Sequence, residues 1–245
     1  MGMTGGSTTS EACCGAVMLA CEELVGRLLP VKADLMEREK PYNWDSIIKA
    51  ASSNKVNLGA QKAWRRGISK FVNDEKETKK FQYVCFGVAC SEVEMDCLTG
   101  ESKILRVDIL YDCGKPLNPS IDLGQIEGGF VCGLGFYLRE QIQRNEDTGA
   151  IWNHGTWEYK PPCSQDVPID MRVAYLGQSH HDAYVLSSKA SGEPPLVLST
   201  SVFMALRECI ASARKDAGLG EEFFQLNAPC LVDDIAAACV GDPLN

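Results

Sequence analysis

A single carboxylate, Glu193, stands between a glycine and two prolines in the segment SSKASGEPPLVLST, residues 187–200. An acid in that place has two chemical uses: it caps the helix that follows, or it serves as a general base held by stiff backbone. Prolines are tolerated in a first helical turn, where their missing N–H is not needed. The run PPLVLSTSVFMALRECIASARKDAG predicts a long buried helix with Leu196, Phe203, Leu206 and Ile210 on one face and Gly218 as its stop. Glu193 then sits at the positive end of that helix. Lys189, four residues upstream, is expected to form a surface pair with it, an arrangement worth little energetically.

Two further segments carry groups suited to a ligand. In GGSTTSE, Gly5 and Gly6 allow close backbone approach, Ser7, Thr8, Thr9 and Ser10 supply hydroxyls, and a helix start supplies N–H donors. That combination suits an anion or phosphate, although hydroxyls before a helix are usually only caps. In DLGQIEGGF, Gln125 offers a donor and an acceptor beside glycines; a buried glutamine usually bonds backbone instead. None of the three segments decides the chemistry alone.

Protein-held metal is not expected. The twelve cysteines contain no C-x-x-C, and His154, His180 and His181 are too few and too scattered. The cysteines are expected to be core thiols, with Cys21, Cys209 and Cys239 in helices and Cys85 and Cys97 in strands. Phosphate-loop, dinucleotide-fingerprint and nucleophile-elbow motifs are absent. A net charge of −9 argues against nonspecific nucleic-acid binding. No membrane span or leader is expected, so a cytoplasmic setting is the default.

The elements that must position these groups are readable in part. Thr8 and Glu11 have capping-box spacing, so a helix is expected from Thr9 or Ser10, with Val17, Ala20, Cys21, Leu24 and Leu28 as its stripe and Pro30 as its end. NWDSIIKAA predicts a short helix capped by Asn43. The charged stretch from Lys62 to Phe81 is expected as a surface loop. A β-hairpin is predicted through Val88, Cys90, Val93 and Met95, a turn at LTGES, and a return through Leu105, Val107 and Ile109. NPSIDLGQIEGGFVCGLGFYLRE is periodic yet glycine-rich. Each interior glycine costs about 1 kcal/mol against alanine, so five of them imply close packing or a ligand. REQIQRNEDTGAIWN predicts a second hairpin, VPIDMRVAYL a strand and VDDIAAACV a last helix. The expected whole is one undivided α+β unit.

The order of blocks GSTTSE, VACSEVEMDCLTGESKILRVDILYDCGKPLNPSIDLGQIEGGFVCGLGF, GTWEYKPP and VLSSKASGEPPL closely resembles the C-terminal molybdenum domain of the xanthine dehydrogenase/aldehyde oxidase family. The resemblance runs from about Thr4 to the last helix, and three blocks look most like the aldehyde oxidases of plants. It implies that residues 1–245 form the second molybdopterin-binding subdomain of a molybdenum hydroxylase, an α+β fold of β-hairpins packed with helices. The implied cofactor is molybdenum–molybdopterin, held by its pterin and not by side chains. FAD and 2Fe–2S clusters are implied only for a full-length enzyme. Gly5 to Ser10, Gln125 and Lys189 would lie against the cofactor. Glu193 would be the general base, taking a proton as a water-derived oxygen attacks an aldehyde or N-heterocycle carbon. The implied partners are a first molybdenum domain, in cis or in trans, and a second copy in a homodimer. The chain departs from the family at Cys132, where glutamine is usual, and at Glu158 and Pro161. A xanthine dehydrogenase acting on purines and a non-catalytic cofactor- or partner-binding fragment are the alternative expectations. Half a domain should also expose an unusually large apolar face.

Overall fold

The computed structural model describes residues 8–39, 42–64, 84–177, 185–219 and 223–241. The chain does not form the single unit expected. It divides into two compact units, Met1–Tyr83 with His181–Ser187, and Val84–His180 with Ser188–Asn245. Each has its own buried cluster, which is the physical reason for the division.

In the first unit, helix α1 (Thr8–Glu37) packs on helix α2 (Trp44–Ser53) through Leu28, Val31, Ile47 and Ala51. Helix α1 begins at Thr8 and does not stop at Pro30, which lies inside it. A mid-helix proline loses one hydrogen bond and crowds the carbonyl four residues back. Here Leu28 and Val31 on either side of it are both buried against α2, and that packing holds the helix through the defect. Helix α2 starts where Asn43 predicts. Asn43 Oδ1 accepts from the Ser46 N–H at 2.9 Å, while Ser46 Oγ accepts from the Asn43 N–H at 2.8 Å. The expected stripe on α1 is only partly buried. Val17 is 61% exposed and Cys21 is exposed too, as are Met18, Val25, Leu29 and Met36. Most of the charged stretch from Lys62 to Phe81 lies outside the described residues.

The second unit is built on a three-stranded sheet in the order β1–β2–β3. Strands β1 (Gly87–Met95) and β2 (Ser102–Tyr111) form the predicted hairpin, and β3 (Asp170–Tyr175) joins β2 in parallel. One expectation about faces fails. Val88 and Cys90 point to the exposed face of β1, whereas Ala89, Val93 and Met95 pack on the core. Cys90 and Val93 are three residues apart, so a strand of period two cannot place both on one face. The irregularity lies in β2: the register shifts at Glu92/Val93 and leaves Leu105 without a partner, so Ile104 and Val107 both face inward.

Helix α3 (Pro119–Leu138) and helix α4 (Thr200–Asp216) cover the inner face, and α5 (Val232–Val240) packs beside α4. Ile126, Phe130, Leu134, Val202, Leu206 and Ile210 are fully or almost fully buried against Val107 and Ile109. Burying each such side chain stabilises the fold by about 1.5–3 kcal/mol. The segment Pro194–Asp216 is, contrary to expectation, long and apolar enough by length and composition to cross a membrane; in this fold it supplies the Val202–Leu206–Ile210 stripe of the core. The second hairpin shrinks to one β-bridge, Arg144 with Ile151, around an Asn145 turn. Its tip, RNEDTG, has no apolar face to bury.

Three of the five glycines inside α3 are there for packing. A Cβ at Gly129 would strike the Gly192 carbonyl, one at Gly133 the Leu196 carbonyl and Ser199 Oγ, and one at Gly135 the Glu140 carboxylate. Gly124 and Gly128 face open space. Gly133→Ala should therefore destabilise the protein by about 1–3 kcal/mol through overpacking. Gly128→Ala should stabilise it by up to about 1 kcal/mol through helix propensity. Urea denaturation of the two variants distinguishes these opposite signs.

The cysteines depart from the expected core thiols. All twelve are free, but Cys13, Cys14, Cys21, Cys90, Cys97, Cys132 and Cys163 are exposed, and Cys97 lies in the β1–β2 turn. Helix and strand patterning marks apolar periodicity, and cysteine fits either side of it. Only Cys113, Cys230 and Cys239 are buried. Burial pushes their thiols up, to about 11 for Cys113, about 12 for Cys230 and about 11 for Cys239. Native alkylation with iodoacetamide at pH 8 should label the seven exposed thiols and spare these three, because thiolate and access are both needed. Peptide mass spectrometry reads the pattern; rapid labelling of Cys230 would contradict it.

Candidate functional site

Glu193 closes a short loop, Ser188 to Glu193, that runs between the end of β2 and the flank of α3. The following segment is not yet an α-helix. Pro194–Ser199 forms a 3-10 turn, and α4 begins only at Thr200. Two adjacent prolines remove two N–H groups, so the first available donor is Leu196 N–H, which bonds the Glu193 carbonyl at 3.1 Å. The altered start also moves the buried face: Pro195 and Ser199 are buried, while Leu196, expected in the core, is exposed. Glu193 itself is exposed, and its side chain accepts no capping hydrogen bond from the turn it precedes.

Lys189 is not the surface partner of Glu193 that its spacing suggests. Its Nζ lies 2.5 Å from Asp112 Oδ2, with the lysine side chain 7% and the aspartate 1% exposed. The ammonium also donates to the Val84 carbonyl at 3.1 Å and lies 5.7 Å from the Phe86 ring. A charge at that depth requires a counter-charge, and Asp112 supplies it. Asp112 also fixes its own surroundings: its Oδ1 accepts from the Gly114 N–H at 2.9 Å.

The rest of the loop is stitched on both sides. The Lys189 N–H donates to the Cys113 carbonyl at 2.9 Å, and the Tyr111 hydroxyl donates to the Ala190 carbonyl at 2.7 Å. Cys85 Sγ donates to the same carbonyl at 3.6 Å. Its thiol is pushed up, chiefly by burial. From the helix, Asp122 accepts from the Ser191 hydroxyl at 2.9 Å. Gly192 then touches α3 directly. A Cβ there would lie 2.7 Å from Gln125 Oε1, so only glycine lets the amide rest over the backbone next to Glu193.

The structure thus brings Gln125, Lys189 and Glu193 into one neighbourhood. Gly5, Gly6 and Ser7 lie outside the described residues, as do His180 and His181. Thr8, Thr9 and Ser10 form the first turn of α1 in the first unit. Cys132 lies on the exposed side of α3, spaced by fours from Gly124 and Gly128. Asp112, Tyr111, Asp122 and Ser191 were not singled out from sequence. Asp112 left one signal, a carboxylate between Tyr111 and Cys113 at the end of the run ILRVDILYDC. A cleft of about 360 Å³ on the outer face of the sheet, lined by Val88, Cys90, Leu110 and Arg172 among others, contains none of the loop residues.

Among the described residues no group of three or more His, Cys, Asp or Glu could hold a metal. What the loop and α3 present is an amide, a carboxylate and glycine-lined backbone, the groups that orient a heterocycle with its own heteroatoms.

A model of the molybdopterin cofactor-binding domain matches residues 1–168. Among curated proteins, "Aldehyde oxidase 4" of Arabidopsis thaliana is 43% identical over 236 residues, covering 96% of this chain and 16% of that protein. An "Indole-3-acetaldehyde oxidase" of the same plant is 48% identical over 214 residues, covering 87% of this chain and 15% of that protein. The chain therefore spans about a sixth of the length of these relatives. Among solved structures, the aldehyde oxidoreductase from Desulfovibrio gigas superposes with a TM-score of 0.65 at 20% identity, over 97% of this chain and 24% of that one. That likeness concerns the fold.

The buried pair makes a direct stability prediction. Lys189→Met keeps the volume but leaves Asp112 without its lysine. The expected loss is about 3–5 kcal/mol, the range for breaking a buried ion pair from one side. A urea midpoint unchanged from wild type would show that the pair is not buried in solution.

Proposed function

Because the chain belongs to the molybdopterin cofactor-binding domain family, we propose that it forms the C-terminal part of the molybdenum portion of an aldehyde oxidase-like hydroxylase, with Glu193 as its general base. The supporting observation is the seat of that residue. The Gln125 amide lies against Gly192, the residue before Glu193, where a side chain would displace it. Similarity to plant aldehyde oxidases along almost the whole chain supports an aldehyde as the substrate class.

In this reading Gln125 holds the pterin cofactor, and Lys189 supports the loop beside it. When bound, the cofactor supplies a centre that accepts two electrons. The net reaction converts an aldehyde and water into a carboxylic acid, releasing two protons and two electrons. Glu193 takes one of those protons from the attacking water-derived oxygen as the new C–O bond forms. A general base must be ionised and aimed before it can do this, and the stitched loop provides the aim. The two prolines after it remove the backbone freedom that would let the carboxylate wander.

The missing wall belongs to a first molybdenum domain, in cis or in trans, and the whole enzyme is a homodimer carrying FAD and 2Fe–2S clusters. Exposed apolar residues along α1 favour such a partner. Seven exposed free thiols suit a reducing, cytoplasmic setting.

The test combines chain 1–245 with the missing half in a host that makes the cofactor. Glu193→Gln should lower aldehyde oxidation by about 10²–10⁴-fold, the usual contribution of a positioned base, with molybdenum per chain unchanged. Retained activity would sink the assignment. Turnover of hypoxanthine in place of aldehydes would shift the substrate class to purines.

A further inference from the structure

We propose that Asp112 is a positioning residue for Glu193, acting through Lys189; this rests on the reading of Glu193 as the general base. Asp112 directly follows the last residue of β2, where its carboxylate meets the start of the loop. Each of its oxygens accepts from a different donor, one backbone and one side chain. Oδ1 holds the Gly114 N–H at 2.9 Å, and Oδ2 holds Lys189 Nζ at 2.5 Å. The same lysine is tied through its own N–H to the Cys113 carbonyl, and Gly114 forms a β-bridge with Ser188. Asp112 therefore clamps the end of β2 and the start of the loop to each other, four residues before Glu193.

The charge is required as well as the shape. An asparagine keeps most of the geometry but leaves a lysine that is 7% exposed without a counter-ion. The loop then has reason to open, so that the ammonium reaches water. The clamp also acts together with the α3 contacts. Ser191 is held by Asp122 and Gly192 by Gln125 and Gly129, so releasing one end leaves the loop hinged at the other. Misplacing a catalytic group by about 1 Å can cost on the order of 10²-fold in rate, which makes a residue behind the loop consequential for turnover.

Asp112→Asn alone could simply unfold the chain. The informative variant is Asp112→Asn/Lys189→Met, which leaves no unbalanced buried charge. Hydrogen exchange of the 245-residue chain, read on peptides covering residues 185–196, β2 and α3, separates the possibilities. Positioning predicts that loop amides exchange about tenfold or more faster while β2 and α3 keep wild-type protection. Unchanged loop exchange, or equal loosening of all three regions, overturns the proposal. In the assembled enzyme the same double variant should lower kcat by about 10²-fold, with KM and molybdenum content held. Glu193→Gln is measured alongside. If it stays active, the base assignment fails while the exchange result stands. If it is inactive but the double variant turns over at the wild-type rate, the positioning role alone fails.

Discussion

The candidate site depends on one close approach: the backbone of α3 lies directly on the backbone of residues 192–199. Gly129 meets the Gly192 carbonyl, and Gly133 meets the Leu196 carbonyl and Ser199 Oγ. The buried Ser199 hydroxyl completes the contact by donating to the Phe130 carbonyl at 2.6 Å. Any side chain at these helix positions would push the two segments apart. Glycine inside a helix is unfavourable by about 1 kcal/mol each. The dense packing around Phe130, Leu134 and Val202 offsets that cost. The same approach sets the Gln125 amide against Gly192, next to Glu193 in the chain.

A second constraint acts from the other side of the loop. Main-chain and hydroxyl bonds hold Lys189 and Ala190 to the end of β2, and the Lys189–Asp112 pair adds an ionic tie where water is nearly excluded. The loop is thus held from β2 and from α3, and it ends at Glu193, which is exposed. This is the arrangement expected where a catalytic group must be aimed by a rigid backbone. Each unit exposes apolar side chains. Apolar residues are exposed along α1, on the outer face of the sheet at Val88 and Leu176, and on α3 at Ile121 and Phe136. They suit a chain that spans about a sixth of its relatives' length.

Some of the fold was legible residue by residue. Asn43 and Ser46 carry a cap that needs nothing beyond local geometry, and the β1–β2 hairpin follows from alternation and its turn. The glycine count of α3 pointed to close packing before any partner was known. Other readings failed where tertiary contacts override a local rule. Pro30 breaks isolated helices, but Leu28 and Val31 are pinned on α2. Val88 and Cys90 look equivalent to Val93 and Met95 in a string of letters. Yet they lie on opposite faces, because the extra residue is in the partner strand.

By itself, the sequence determined the Asn43 helix cap, the hairpin, the close-packed glycine helix and, through long specific blocks, the family. Those features are encoded over a few neighbouring residues or in extended similarity. Only the tertiary structure decided that Lys189 pairs with Asp112, 77 residues away, and not with Glu193, four residues away. It alone decided that the two prolines begin a 3-10 turn that sends Leu196 outward. Spacing measures proximity along the chain, whereas a buried charge selects whichever counter-charge the fold carries into the same dry place.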